Sequence, residues 1–457
     1  MTDSEVSAAW LATRLTDRIT ASPGGGGAAI EVGIRALIDS GELADGTKLP
    51  TIRSLADHLD LKVSAVTDAW VRLRRERLVD TRRRGGTFVT RTAPATPQPA
   101  DFDGWGSVEL VQALPEPALV PSTVPAFAAS IDPGRPLTHT HLDAKLIDRL
   151  QQQWPFGPAT FTLLPTGLAA LRMILDAVTA IADGAIAAES PGMLRTNDLT
   201  SRIVDHATVA VDLDAAGPIP DSLAAALDAG AGTFVFQPTG QIPLGSTMTP
   251  QRRDALVATI ERHGSTPWIV EDDASAGLFP AISLGGAFPE HTVRISQYWR
   301  AFGTDLALSV VGGSGRIVGT ILDRQRADGI RVSGLLQRVL TILLGDREAL
   351  ARARSARGVY DRLNVALTAA LERHGLRVDS HGGLFVWIPV PDEHRVLRQL
   401  AGAGIRAQGG RDAFITAAPS DYLRLSVTRL PLDPALLDDL AALLAAAVTG
   451  STLLDVE

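Results

Sequence analysis

Residues 49–89 read LPTIRSLADHLDLKVSAVTDAWVRLRRERLVDTRRRGGTFV, and this stretch decides what kind of chain it belongs to. Ile52, Leu55 and Leu59 fall at helical spacing, and so do Val63, Val66, Trp70 and Leu73. Asp60-Leu61-Lys62 between the two sets is a tight turn. Leu78-Val79 and Phe88-Val89 are short apolar pairs flanking Arg82-Arg83-Arg84-Gly85-Gly86. The pattern predicts two short amphipathic helices followed by a basic, two-stranded wing. A helix–turn–helix of this size lays its second helix into a DNA groove. Adjacent guanidiniums with flexible glycines suit the phosphate backbone. The bland alternative for the arginine run is a solvated surface loop, but the run lies where a wing must be.

Charge supports the same division of labour. Residues 1–92 carry a net +2, and the remainder a net −10, within a chain of 457 residues and overall charge −8. Basic character is thus concentrated on one element, as in a DNA-binding module, and the acidic bulk argues against nonspecific coating of nucleic acid. There is no cysteine, so neither a disulfide scaffold nor a thiolate metal site is expected. The N-terminus MTDSEVSAAW starts acidic and lacks the apolar run of a signal peptide, and no stretch approaches the ~18 apolar residues of a membrane span. A cytoplasmic protein is expected.

Working outward, residues 1–25 hold a short helical pattern that ends in SPGGGG, and 26–90 form the winged helix. Residues 91–104 begin RTAPATPQPAD, a Pro/Ala-rich linker. Beyond it, in 105–457, apolar strand-like runs alternate with helical stretches: FTLL, AIAAE, TVAVDL, TFVFQ, WIVEDD and TVRIS. Short buried strands alternating with helices imply an α/β domain with a mainly parallel sheet covered on both faces. A long helix near 347–374 leads into a small α+β lobe, about 347–457, with LFVWIPV, YLRLSV and a last helix from Pro434. His139 and His141 have no carboxylate or cysteine set at metal spacing, so no metal site is expected. Gly312-Gly313-Ser314-Gly315 lacks the Lys-Ser/Thr of a nucleotide cradle and reads as a loop.

The N-terminal stretch resembles the winged helix of the GntR family of bacterial transcription regulators, through LPTIRSLADHLDL, AVTDAWVRLRRERLV and RRRGGTFV. The resemblance implies DNA contacts by Arg53, Lys62, Ser64, Arg82, Arg83, Arg84, Gly85 and Gly86. One departure stands out: the family's Ser-Arg pair opening the recognition helix is here Lys62-Val63, which puts the usual operator sequence in doubt.

The large domain resembles aminotransferases of fold type I that use pyridoxal phosphate. The residues that carry this are LPTGLAAL, ESPG, QIPLG, WIVEDDASAGLF, SQYWRAFGTDLALSVVG, HGGLFVWIPV and YLRLSV, in that order. The fusion is the layout of the MocR subfamily. Yet the turn that should hold the Schiff-base lysine reads Trp299-Arg300-Ala301-Phe302-Gly303, and a guanidinium cannot form that imine. By the same resemblance Ala307 replaces a phosphate-binding arginine, Ala274 and Met193 replace tyrosines, and 133–158 is shortened. Asp272 remains where a carboxylate pairs with the pyridine nitrogen. Thr166 and Gly167 remain at the phosphate-binding helix start, and Arg424 remains where a substrate carboxylate is clamped. Each has a structural alternative: Asp272 as a turn cap, Gly167 as a sharp turn, Arg424 as an ion pair, Arg300 as drift after loss of catalysis.

The expectation is a homodimeric regulator of an operator in double-stranded DNA, not an enzyme, whose aminotransferase-like domain senses a small anionic metabolite or serves dimerisation. In that reading Thr166, Gly167, Asp272, Arg300 and Arg424 form a degenerate cofactor pocket, and no covalent pyridoxal phosphate is held. The alternatives are a MocR-type regulator binding pyridoxal phosphate noncovalently and a working aminotransferase.

Overall fold

The protein is described by a computed structural model covering residues 6–20, 26–39, 42–44, 46–75, 78–82, 86–89, 108–131, 142–201 and 206–450. The chain divides into two compact units, Met1–Pro97 and Gln98–Glu457. The linker expected at 91–104 lies outside the described residues, as do His139 and His141.

The first unit runs α1 (Ala8–Thr20), α2 (Gly26–Asp39), β1 (Lys48–Leu49), α3 (Ile52–Leu59), α4 (Val63–Arg75), β2 (Val79–Arg82) and β3 (Gly86–Val89). Helix α3 starts where the Thr51 hydroxyl accepts the Ser54 N–H at 3.2 Å. It stops at Asp60, whose φ of 51° makes it the one described non-glycine residue in the left-handed region, a conformation aspartate tolerates better than most. The strands pair antiparallel in the order β1-β3-β2. The core joins Ile30, Ile34, Leu55, Val66, Trp70, Leu73 and Val89 to Leu11 and Leu15 of α1. The segment read from sequence as a separate N-terminal piece therefore packs inside the DNA-binding unit. A second difference concerns α4. Val66, Trp70 and Leu73 are buried, but Val63, which shares their spacing, is 46% exposed. It is the first residue of its helix, one turn before Val66.

The second unit opens with β4 (Val108–Glu109), α5 (Val124–Ser130) and α6 (Ala144–Gln153). Strands then alternate with helices: β5 (Thr160–Leu164), α7 (Gly167–Thr179), β6 (Ala185–Glu189), α8 (Leu194–Ser201) and β7 (Thr208–Val211). The ribbon β8 (Leu213–Asp214) and β9 (Gly217–Pro218) follows, then α9 (Pro220–Asp228), β10 (Ala231–Phe236), α10 (Pro250–His263), β11 (Trp268–Asp273), β12 (Thr292–Gln297), α11 (Trp299–Phe302) and β13 (Ser309–Gly313). Next come α12 (Gly315–Asp328), α13 (Gly334–Gly345) and the 27-residue α14 (Arg347–Arg373). The small lobe holds β14 (Phe385–Val390), α15 (Glu393–Gly402), β15 (Ile405–Arg406), β16 (Gln408–Gly409), β17 (Asp421–Ser426) and α16 (Pro434–Thr449).

The main sheet has seven strands in the order β5-β13-β12-β11-β10-β6-β7. Only β13 runs against the rest, pairing antiparallel with both β12 and β5. Its strands are apolar on both faces because helices cover both sides: α7 and α12 pack with Val270, Ile295 and Val311, while α9 and α10 pack with Phe234, Phe236 and Ile269. The small lobe is an antiparallel sheet, β14-β17-β16, with α14 and α16 behind it. The α/β reading with a mainly parallel sheet and a small α+β lobe holds.

Candidate ligand pocket and nucleic-acid interface

Strand β11 ends in three consecutive acids, Glu271, Asp272 and Asp273, and the two-residue period of a strand sends them to opposite faces. Glu271 and Asp273 share a face with Arg294 of the neighbouring β12, which they grip at 2.8 and 2.7 Å. Burial pushes the Glu271 carboxyl up, with Arg294 opposing the shift. Asp272 faces the other way, beside the start of α7, and is 2% exposed. Burial raises its pKa to about 6, with a hydrogen bond from Gln297 opposing and the Asp273 charge adding. Gln297 donates Nε2 to Asp272 Oδ1 at 3.1 Å.

Around Asp272 lies a cavity of about 520 Å³. Thr166, Gly167, Arg300 and Arg424 all line it, so the structure brings together the five residues read from the sequence as one pocket. Arg300, on α11, donates to the Ala274 carbonyl at 2.5 Å and lies over the Trp299 ring at 4.1 Å. Arg424, on β17, donates to the Val111 carbonyl at 3.1 Å and to Gln408 Oε1, and lies over the Phe385 ring at 4.6 Å. Among the described residues neither guanidinium is paired with a carboxylate, and the Nε of each is buried without a hydrogen-bond partner. Burial lowers both pKa values to about 10; for Arg300 the Asp272 charge opposes this and the Arg424 charge reinforces it. Both remain cationic at neutral pH. Neither Asp272 nor Asp273 forms an ion pair with these arginines: Asp273 is committed to Arg294, and Asp272 accepts from Gln297.

The helix start behaves differently from the arginines. The Thr166 hydroxyl caps α7 by accepting the Ala169 N–H at 3.1 Å. A Cβ at Gly167 would collide with the Gln297 carboxamide, which therefore stands directly over the helix start. The chain's own amide thus covers the place where an anion would meet the first turn of α7. Gln297, Gln408, Trp299 and Phe385 were not singled out by the sequence reading. Gln297 lies three residues before Arg300, but nothing in its identity signals that it folds back onto Gly167.

The geometry also bears on pyridoxal phosphate. Among the described residues the cavity is lined by no lysine; the chain's lysines are Lys48, Lys62 and Lys145. With Arg300 as the basic group and Gln297 over the helix start, the residues present do not fit a covalently held pyridoxal phosphate. A second cavity, of about 580 Å³, is lined by Arg294, Asp273 and Tyr298. It is the larger of the two, but its buried arginine is already neutralised by two carboxylates, Arg357 on its wall pairs with Asp361 and Arg354 is exposed to solvent, so it makes the weaker claim on an anion.

In the first unit, α3, the Asp60 turn and α4 form the helix–turn–helix. Arg53, Lys62 and Ser64 are exposed on it. Arg82 pairs with Gly86 across the wing, and Gly86 has φ 97°. Arg83, Arg84 and Gly85 lie outside the described residues, as does the side chain of Arg82.

Comparison with known proteins gives the same two halves. Residues 28–89 match the family "Bacterial regulatory proteins, gntR family". The chain is 25% identical over 407 residues to the vitamin B6 salvage pathway transcriptional repressor PtsJ of Salmonella typhimurium, covering 87% of this chain and 93% of that one. It is 26% identical over 286 residues to the pyridoxine biosynthesis transcriptional regulator PdxR of Corynebacterium glutamicum, 58% of this chain and 61% of the relative. Among solved structures, the α-aminoadipate aminotransferase LysN of Thermus thermophilus superposes with a TM-score of 0.66 at 20% identity, covering 76% of this chain and 93% of that chain.

Proposed function

We propose, for a chain that joins a GntR-type helix-turn-helix domain to an aminotransferase-like domain of fold type I, that it is a transcriptional regulator whose second domain senses an anionic small molecule and performs no transamination. The observation that carries the sensing role is the pair of arginines, Arg300 and Arg424, facing one cavity with no ion-paired carboxylate among the described residues. Leaving two buried cations unpaired is costly, and an anionic ligand relieves that cost. The loss of catalysis rests on Arg300 in place of an imine-forming lysine.

The expected partners are an operator in double-stranded DNA, bound by a homodimer with two half-sites, and the effector. The DNA partner places its work in the cytoplasm. No helix among the described residues is long and apolar enough to cross a membrane. A ligand that prefers one state of the protein would shift DNA affinity by its differential affinity, typically ~1–3 kcal/mol. A thermal-shift screen of carboxylates and phosphates tests the sensor. The expected hit stabilises the native chain and fails on Arg300→Ala and Arg424→Ala. A screen with no response beyond matched salt would count against it.

A second reading is that pyridoxal phosphate, or a related vitamin B6 form, binds noncovalently. It is favoured by the names of the two relatives, both concerned with vitamin B6. Dialysis separates the two: an unlinked cofactor washes out, and its absorbance goes with it.

A further inference from the structure

We propose that Val63 reads a thymine of the operator by contact with its 5-methyl group. This rests on the DNA-binding reading above and names one base that the reading leaves open. Val63 is 46% exposed at the first position of α4, between the exposed Lys62 and Ser64. A valine so placed leaves nearly half of its surface outside the core of its own domain, where Val66 and Trp70 are at most 1% exposed. In a helix–turn–helix, the N-terminal residues of the second helix meet base edges in the major groove. Valine has no hydrogen-bonding group, so it reads neither guanine nor adenine by the usual bidentate contacts. The one apolar feature a base presents in that groove is the thymine methyl.

The next residue on that face, Thr67, extends the apolar character. Residues four apart are neighbours on a helix. The Thr67 hydroxyl donates to the Val63 carbonyl at 2.9 Å, so its proton is already committed to the helix. Val71, a further four residues on, is 41% exposed. The solvent side of α4 therefore starts with a basic residue suited to phosphate and continues with methyl groups. Asp68, also exposed, would be repelled by phosphate and suits only a base edge, where a carboxylate accepts from cytosine. Val63, Thr67 and Val71 thus fit a helix aimed at the floor of the groove, with Lys62 at its phosphate rim.

Selection of binding sites from random duplexes with the full-length protein, followed by replacement of each thymine by deoxyuridine, tests this. Deoxyuridine keeps every hydrogen-bonding group and removes only the methyl. We expect one position per half-site at which the replacement weakens binding about fourfold, the worth of one buried methyl. Val63→Ala should bind equally to thymine and deoxyuridine at that position. Val63→Arg should move the preference there toward guanine. Val32→Ala, which trims an exposed valine of α2 outside the helix–turn–helix, should keep the discrimination. The proposal is overturned if no thymine is methyl-sensitive, or if Val63→Ala still distinguishes the two bases. It is equally overturned if Val63→Ala keeps the wild-type discrimination and loses self-association, which would make the face a protein contact. Failure to select any sequence at all would instead sink the regulator reading itself.

Discussion

Asp272 holds its proton until about pH 6, because ionising it in a buried site costs more than Gln297 and the nearby arginines return. Its folded pKa lies above the unfolded value near 4, so the native state binds more protons than the unfolded chain between those limits. Stability on this account falls as pH rises from about 4 to 6 and is level above that. Asp272→Asn, which stays neutral and still accepts from Gln297, is expected to be more stable than the native chain at pH 8 by on the order of 2–3 kcal/mol, and about equal at pH 3, below both pKa values. Denaturant unfolding at the two pH values measures this; an equal effect at both would refute it. Gln297 makes the second prediction at this scale. Trimming it to alanine uncovers the start of α7, whose backbone N–H groups favour anions. Inorganic phosphate should then raise the melting temperature of Gln297→Ala, while the native chain responds no more than to sodium chloride of equal ionic strength. The three residues Gly167, Asp272 and Gln297 show how far sequence reaches here. The glycine and the acid were legible from the motifs around them. The glutamine was not, because its role depends on a contact with Gly167, far away along the chain.

At the scale of elements, alternation along β11 does the sorting. It places Glu271 and Asp273 on Arg294 and leaves Asp272 to the ligand cavity, a distinction invisible in the string EDD. Removing the cation from that buried triad leaves two carboxylates without their counter-charge. Arg294→Ala is expected to lower stability by ~3–5 kcal/mol, read as a fall in melting temperature of the second unit. Helix α1 gives the other prediction. It precedes the family match at 28–89, yet Leu11 and Leu15 are both 0% exposed. Leu15→Ala should therefore cost the DNA-binding unit ~2–5 kcal/mol. If α1 were an appendage, the loss would be negligible. The sequence showed a helix there but not its docking, because amphipathic spacing marks an apolar face without saying what covers it.

The whole molecule consists of two units with separate cores: the cluster around Trp70 draws all its members from residues 6–89. Met1–Pro97 expressed alone should then unfold cooperatively and bind DNA, more weakly if dimerisation resides in the larger unit. A chain that is molten by near-ultraviolet dichroism would contradict this. Borohydride reduction and mass spectrometry of the intact protein should show no added pyridoxyl mass, since the pocket has no amine to form the imine.

The sequence by itself determined the two fold classes and the arginine at position 300, because these follow from local periodicity, turn chemistry and the identity of single residues. It also named five residues that meet in one cavity. Tertiary structure alone decided that Gln297 covers the α7 start, that Asp273 serves Arg294, that Arg300 and Arg424 have no ion-paired carboxylate among the described residues, and that Val63 is half exposed while its periodic companions are buried. The physical reason is common to all four. Spacing along a strand or helix fixes which side a residue takes, but its partner is set by what the rest of the chain brings to that side.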